Sequence, residues 1–222
     1  MGELYLVATP IGNLEDITVR AVRILKETDL VLSEKPLVTK RLFDRYKIKT
    51  RLQSFHEHSE GSVYNSIIGL LRSGKKIALV SEAGTPNISD PGGKLIQEIV
   101  KVLGESTKII PIPGPSALTA LLSVAGFNVN RFLFLGFVPK KKGRKTFLNI
   151  IKTSQFPVVV YESVYRIKKF LSEIIDLEIE EIILGRELTK KFETIYRGMP
   201  RQVLEKLDHD KNKGEFVVLI NK

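Results

Sequence analysis

The chain has 222 residues, which suits one large domain or two small ones, and its 43% hydrophobic and 27% charged residues exclude a disordered chain. It contains no cysteine, which excludes disulfides, thiolate catalysis and Cys-ligated metal sites. The net charge of +10 favours an anionic partner, either a nucleic acid or an acidic small molecule.

Short apolar runs alternate with helical periodicity through the first half, which predicts an α/β fold. The predicted strands are Leu4–Ala8, Leu30–Ser33, Ile77–Val80 and Lys108–Ile110. Three predicted helices are Leu37–Tyr46, Lys94–Leu103 and Pro115–Ala125. A further helix is capped by Asp16 and has Ile17, Ala21, Ile24 and Leu25 on one face. Another is capped by Ser59 and ends at Gly74.

The second half repeats this alternation. Its predicted strands are Phe132–Leu135, Pro157–Tyr161, Glu181–Leu184 and Glu215–Ile220, and its predicted helices are Thr146–Lys152, Val164–Ile175 and Pro200–Leu207. Prolines and a Pro-Gly turn around Pro111–Pro115 indicate a boundary. We therefore expect two α/β lobes, residues 1–112 and 113–222, with a ligand site in the cleft between them.

Three Gly/Pro-rich loops each follow a predicted strand: Thr9–Asn13, Ser81–Gly93 and Pro111–Ser116. Open α/β sheets bind ligands beyond the carboxyl ends of their strands, so this placement predicts a ligand site. Glycine lets backbone approach a ligand closely, and proline fixes a loop in advance. Neither a dinucleotide fingerprint nor a P-loop pattern is present.

No apolar run approaches the ~20 residues that a membrane span needs. The first residues, Met1–Leu4, lack a basic segment followed by an apolar one. We expect a cytoplasmic protein that does not enter a membrane.

Long motifs throughout the chain resemble the ribosomal RNA small subunit methyltransferase I family of the tetrapyrrole methylase superfamily. They recur in the family in the same order and cover nearly the whole chain. They are Val7–Leu14, Phe55–His58, Ala83–Pro86 with Ile88–Gly92, Pro111–Leu118, Phe132–Phe137, Tyr161–Ser163 and Arg186–Lys190.

The resemblance implies S-adenosylmethionine as methyl donor, a homodimer, and 2′-O-methylation of a cytidine ribose in the decoding region of 16S ribosomal RNA in the small ribosomal subunit. It implies no metal. By matching positions, the donor-site residues are Pro10, Ser81, Ala83, Gly84, Thr85, Asp90, Pro113, Gly114, Pro115, Ser116, Ala117, Tyr161 and Glu187.

The sequence departs from the family pattern in several places. Lys35-Pro36-Leu37 follows Glu34 where the family has Asp-Thr-Arg, and Val164-Tyr165 stands where the family has Pro-His. In the second loop, Glu82 and Asn87 stand where the family has Asp and Gly. These changes leave the donor loops intact and affect the expected positioning of the substrate.

A ribose methyltransferase needs a base to accept the hydroxyl proton, and carboxylates and histidines supply one. The candidate catalytic residues are Glu57, His58 and Glu34, with His56, Glu82, Asp90 and Glu162 as further acceptors. The run His56-Glu57-His58 is a weak metal pattern because alternate residues of a strand offer only two ligands.

The densest basic run follows a predicted strand and favours contact with RNA phosphates over a merely solvated loop. The candidate RNA-binding residues are Lys140, Lys141, Lys142, Arg144, Lys145 and Lys190. Phe132, Phe134 and Phe137 lie in an apolar run and are predicted to belong to the core.

Two other functions remain open from the sequence. One keeps the donor site and takes a carboxylate-rich tetrapyrrole as substrate, which a basic cleft would also suit. The other is a ribosome-associated RNA-binding protein without turnover, which the missing Asp-Thr-Arg would fit.

Overall fold

The computed structural model describes residues 1–56, 59, 61–209 and 214–222. The chain divides into two compact units, Met1–Ser116 and Ala117–Lys222, so Pro113–Ser116 group with the first unit rather than beyond the predicted boundary at residue 112. Each unit contains one five-stranded sheet, and the mixed α/β class is as predicted. Within the described residues, no helix combines the length and apolar character needed to cross a bilayer.

The first unit is built on a fully parallel sheet. Its strands are β1 (Gly2–Val7), β2 (Leu30–Ser33), β3 (Leu52–Ser54), β4 (Lys76–Val80) and β5 (Thr107–Ile112), in the order β3-β2-β4-β1-β5. Its helices are α1 (Val19–Glu27), α2 (Pro36–Tyr46), α3 (Gly61–Arg72) and α4 (Gly93–Leu103).

Helices cover both faces of this sheet. On one face, Tyr5 and Val7 of β1 pack in a cluster with Leu25 of α1 and Phe43 of α2. On the other face, residues of β1 and β4 pack against α3 and α4. Strands covered on both faces are apolar throughout, which is why these strands read as short continuous apolar runs.

The centre of the sheet is a topological switch point. β1 and β4 are neighbours, yet the chain leaving β1 reaches α1 on one face and the chain leaving β4 reaches α4 on the other. The loops that follow these two strands therefore diverge at the carboxyl edge. Open α/β sheets bind their ligands at this position.

The second unit begins with α5 (Ala117–Ser123) and has a mixed sheet. Its strands are β6 (Leu133–Phe137), β7 (Val158–Ser163), β8 (Ile182–Arg186), β9 (Thr194–Gly198) and β10 (Glu215–Ile220), in the order β6-β7-β10-β8-β9. Its other helices are α6 (Arg144–Thr153), α7 (Ile167–Ile175) and α8 (Pro200–Asp208). These three helices cover one face of the sheet, where Val160, Leu184 and Val218 are buried.

Several predicted helix boundaries are wrong. Asp16 ends a short 3₁₀ turn, and the N-cap of α1 is Thr18, whose Oγ1 accepts a hydrogen bond from Ala21 N at 3.0 Å. The predicted Pro115–Ala125 helix begins only at Ala117, so Pro115 and Ser116 stay in the loop. Side-chain capping and loop contacts decided these ends, and periodicity does not register them.

Two strands have no counterpart among the predicted elements. β3 and β9 are each an edge strand of their sheet, with a partner on one side only. Polar residues interrupt both sequences, Leu52–Ser54 and Thr194–Gly198, so neither has the apolar run that identified the other strands.

Candidate active site

Two of the predicted ligand loops are joined at the carboxyl edge of the first sheet. Thr9, after β1, and Gly84, after β4, form an isolated antiparallel bridge. Thr9 N donates to Gly84 O at 2.8 Å, and Gly84 N donates to Thr9 O at 2.9 Å. Backbone hydrogen bonds therefore hold the loops after β1 and β4 together at the switch point.

Buried hydroxyl groups reinforce this junction. Thr9 Oγ1 donates to Ser81 O at 3.1 Å, and Ser81 Oγ donates to Gly84 O at 2.6 Å. Thr9 and Ser81 are both 4% exposed. Since a buried hydroxyl without a partner is costly, these bonds favour one loop arrangement.

The third loop joins the same assembly. Thr85 Oγ1 donates to Pro115 O at 3.2 Å. Gly84 has a φ of +89°, and a Cβ there would lie 3.4 Å from Ile11 Cγ2 and 3.7 Å from Pro115 O. A Cβ on Gly114 would lie 3.0 Å from the Cβ of Ala8, so this loop passes close to the end of β1. Glycine thus lets the three loops converge.

The donor-site residues predicted in this unit divide by burial. Pro10, Ser81 and Gly84 are buried and form the base of the loops. The more accessible ones are Ala83, Pro113 and Gly114, which are exposed, and Thr85, Asp90, Pro115 and Ser116, which are half-buried. Ala117, the first residue of α5, is half-buried and opens the second unit. The loops of the first unit thus have a buried base and a more accessible outer part, which we call the rim.

Three carboxylates surround the rim. Glu34 follows β2, while Glu82 and Asp90 lie in the loop after β4. Burial, together with the negative charges of Glu34 and Glu82, raises the pKa of Asp90 to about 7. Because those charges act on Asp90, the three groups form one electrostatic cluster.

Lys35 partly balances the charge of this cluster, and His56 lies beside it. Lys35 Nζ lies 2.7 Å from Glu82 Oε1, and His56 Nδ1 lies 3.9 Å from Glu34 Oε1. Lys35 therefore links the residues that follow β2 to the loop after β4. The predicted catalytic residues Glu57 and His58 lie outside the described residues, whereas Glu34 directly follows β2 at the carboxyl edge of the sheet.

The two remaining donor-site predictions lie in the second unit. Tyr161, in β7, is half-buried and makes edge-to-face contacts with Phe134 and Phe137 at centroid distances of 5.0 and 5.5 Å. Glu187 follows β8 with a φ of +51°, an unusual backbone for a non-glycine residue, and its Oε1 accepts from Glu215 N at 3.0 Å.

The predicted RNA-binding residues do not all present a free charge. Arg144 is 8% exposed, and its guanidinium donates to Glu173 Oε1 at 2.9 Å and to Pro139 O at 2.6 Å, so it anchors the loop instead of facing RNA. Lys190 Nζ binds Glu187 at 2.9 Å and Glu215 at 2.8 Å, so its charge is already balanced. Lys140, Lys141, Lys142 and Lys145 are exposed and form no ion pair within the described part of the chain.

Two aromatic residues predicted as core lie at the surface, and two further exposed rings were not predicted. Phe132 and Phe137, predicted as core, are 39% and 53% exposed. Tyr165 and Phe192 are 94% and 68% exposed. The flanking sequence carried a signal, since Phe137 precedes a basic run, Tyr165 precedes Arg166 and Phe192 follows two lysines.

Comparison with solved structures identifies the fold. A crystal structure of diphthine synthase matches with a TM-score of 0.71 at 15% identity, covering 99% of this chain and 90% of that one. The cobalamin biosynthetic enzyme cobalt precorrin-4 methyltransferase matches with a TM-score of 0.69 at 18% identity, covering 98% and 94%. The Tetrapyrrole (Corrin/Porphyrin) Methylases profile matches residues 3–203, which defines the class of protein.

Closer relatives define the family within that class. The chain is 39% identical to "Ribosomal RNA small subunit methyltransferase I" of Thermotoga maritima, over 100% of this chain and 99% of the relative. It is 43% identical to the protein of that name from Leptospira biflexa (99% and 91%) and 41% identical to that from Bacillus subtilis (99% and 75%). The chain belongs to the ribosomal RNA small subunit methyltransferase I family.

The raised pKa of Asp90 predicts a pH-dependent stability. A folded-state pKa of about 7, against 3.8 ordinarily, means that Asp90 destabilises the fold progressively as pH rises from about 4 to 7, and by a constant amount above that. Asp90→Asn should raise the free energy of unfolding at pH 8 by about 1 kcal/mol after solvent screening, and the gain should shrink as pH falls towards 4. Denaturant unfolding across this pH range measures it. Asp44→Asn, at an exposed position of α2, is the control, and an equal gain at every pH would contradict the prediction.

Proposed function

We propose that this chain transfers a methyl group from S-adenosylmethionine to the 2′-oxygen of a cytidine ribose in the decoding region of 16S ribosomal RNA, acting as a homodimer. The observation that carries the proposal is the full-length similarity of about 40% to proteins named ribosomal RNA small subunit methyltransferase I. The joined loops at the switch point of the first sheet support it independently of those names.

The loop assembly fits the proposed donor. S-adenosylmethionine carries a positive sulfonium and a positive ammonium group, and the rim holds the carboxylates of Glu34, Glu82 and Asp90. The exposed residues Ala83, Pro113 and Gly114 carry short side chains or none, which leaves room for a ligand. Thr85, Pro115 and Ser116 would hold the donor beside them.

Methyl transfer of this kind is mainly a problem of placement. The bound donor supplies an electrophilic methyl group on a positively charged sulfur, so the chain must orient the ribose hydroxyl in line with it. The hydrogen bonds among Thr9, Ser81 and Gly84, and the bond from Thr85 to Pro115, hold the loops in place before binding. Rigidity lowers the entropic cost of that placement.

Asp90 is the proton acceptor in this proposal. A base is most effective when its pKa lies near the working pH, and the pKa of Asp90 is about 7. Its carboxylate takes the proton of the 2′-hydroxyl as the oxygen gains the methyl group. Glu34 and Glu82 keep the carboxylate basic through their negative charge.

A transfer assay tests the proposed function directly. Labelled S-adenosylmethionine is incubated with the protein and small subunits that lack the modification, with fully modified subunits as control and a tetrapyrrole precursor as a separate arm. We expect label in the ribose of one 16S cytidine and none in the control. Label in the tetrapyrrole, or in neither substrate, would overturn the proposal.

The Asp90 role predicts a pH profile. The rate of the native protein should rise with pH to a plateau above about 7, because the carboxylate must be ionised to accept a proton. Asp90→Asn should lower kcat about 10²- to 10⁴-fold and remove this rise, while donor affinity, measured by calorimetry, should fall far less because Glu34 and Glu82 keep their negative charges. Asp44→Asn should behave like the native protein. A kcat within twofold of native for Asp90→Asn would refute the role.

The exposed lysines predict a salt dependence. Replacing Lys140, Lys141 and Lys142 with Gln should reduce the slope of log affinity against log salt for single-stranded RNA by about 2, because each phosphate that a lysine neutralises on a single strand adds about 0.7 to that slope. Replacing Lys152, Lys169 and Lys206, which are exposed on α6, α7 and α8, is the control of equal charge. An unchanged slope in the first variant, or an equal change in both, would contradict phosphate binding by the loop.

A further inference from the structure

Three loops of the second unit leave the sheet at the same edge. β6 and β7 are parallel, and β8 runs parallel to β7 because each pairs antiparallel with β10. The chain therefore leaves all three strands at one edge. β6 and β8 are three strand spacings apart, about 14 Å.

Each of these loops exposes an aromatic ring. Phe137 ends β6 and is 53% exposed, Tyr165 follows β7 and is 94% exposed, and Phe192 lies after β8 and is 68% exposed. One exposed apolar ring on a protein surface is ordinary, whereas three on one edge mark an interaction surface.

Exposed lysines accompany the rings. Lys140, Lys141 and Lys142 follow Phe137 closely in the chain, and Lys191 Nζ lies 5.6 Å from the centroid of the Phe192 ring. The buried Glu162 at the end of β7 pairs with Arg166 at 2.7 Å, and Glu187 and Glu215 share Lys190. Lys190 offsets only one of its two carboxylates, and Glu193 is exposed next to Phe192. Lys140, Lys141, Lys142 and Lys191 outnumber these remaining negative charges, so the edge has an excess of positive charge.

The loop that bears the lysines is held from both ends. Arg166 Nη1 donates to Val138 O at 2.8 Å, and Arg144 Nη1 donates to Pro139 O at 2.6 Å. Arg144 is itself fixed by Glu173. Phe137 and the lysines are thus presented from an ordered base, which reduces the entropic cost of binding.

We infer that this edge binds a single-stranded stretch of RNA, with bases stacked on Phe137, Tyr165 and Phe192 and phosphates near Lys140–Lys142 and Lys191. We call these residues the aromatic–lysine edge. Proteins bind single strands with this combination of aromatic platforms and positive charge, because every base has a stacking face and every nucleotide a phosphate. The inference rests on the proposed function, whose substrate is RNA.

A single strand suits the aromatic–lysine edge better than the alternative occupants. A duplex keeps its bases stacked on each other and offers no free face to three separate rings. A symmetric contact between two copies through this edge would bring the lysines of one close to those of the other, which is unfavourable.

The test compares ring variants with a matched exposed phenylalanine. Phe137→Ala, Tyr165→Ala and Phe192→Ala should each weaken binding of a fluorescent single-stranded oligoribonucleotide about 5- to 150-fold, with little change in the salt slope. Phe156→Ala is the control, because Phe156 is 42% exposed but precedes β7 at the opposite edge. Phe137→Trp and Phe192→Trp should retain affinity, whereas leucine at either position should not.

A stacking signature and the oligomeric state complete the experiment. A 2-aminopurine base in the oligonucleotide should lose fluorescence on binding the native protein and recover it in the alanine variants. The inference would be overturned if the three alanine variants bound RNA as tightly as Phe156→Ala. It would also be overturned if light scattering showed that a changed oligomeric state of the variants explains their weaker RNA binding. Methylation of small subunits by the native protein is assayed in parallel, so failure of the proposed function is seen separately.

Discussion

The backbone bridge between Thr9 and Gly84 is the constraint on which the candidate active site depends. β1 and β4 are adjacent, but their chains must leave towards opposite faces of the sheet. The two mutual hydrogen bonds hold the loops together before they separate. Ser81 adds a hydrogen bond to the Gly84 carbonyl, and Thr85 adds one to Pro115 in the third loop. The three loops are therefore ordered by their own polar groups.

Charge is distributed differently in the two units. The rim of the first sheet gathers Glu34, Glu82 and Asp90, and burial together with their mutual repulsion raises the pKa of Asp90. At the edge of the second sheet, Arg166 pairs with Glu162 and Lys190 is shared by Glu187 and Glu215, while further lysines are exposed to solvent. An acidic rim suits a cationic methyl donor, and a basic edge suits a polyanionic substrate.

Much of the fold follows from the sequence because the central strands are covered on one or both faces. Their apolar runs were visible, and β2 and β10 match their predicted bounds. Edge strands β3 and β9 have no such run. The helix starts at Thr18 and Ala117 depend on capping and loop contacts formed with residues nearby in space.

The sequence by itself determined the family, the three loops and their positions after strands, because glycine, proline and strand periodicity are local properties. Only the tertiary structure decided how side chains are used. Arg144 reads as one more cation of a basic run, yet burial against Glu173 makes it an anchor of the loop. Phe137 reads as part of an apolar strand, yet it lies exposed at the end of an edge strand, where no neighbouring strand or helix covers its ring completely. Burial and pairing depend on residues distant in the chain, so no local pattern records them.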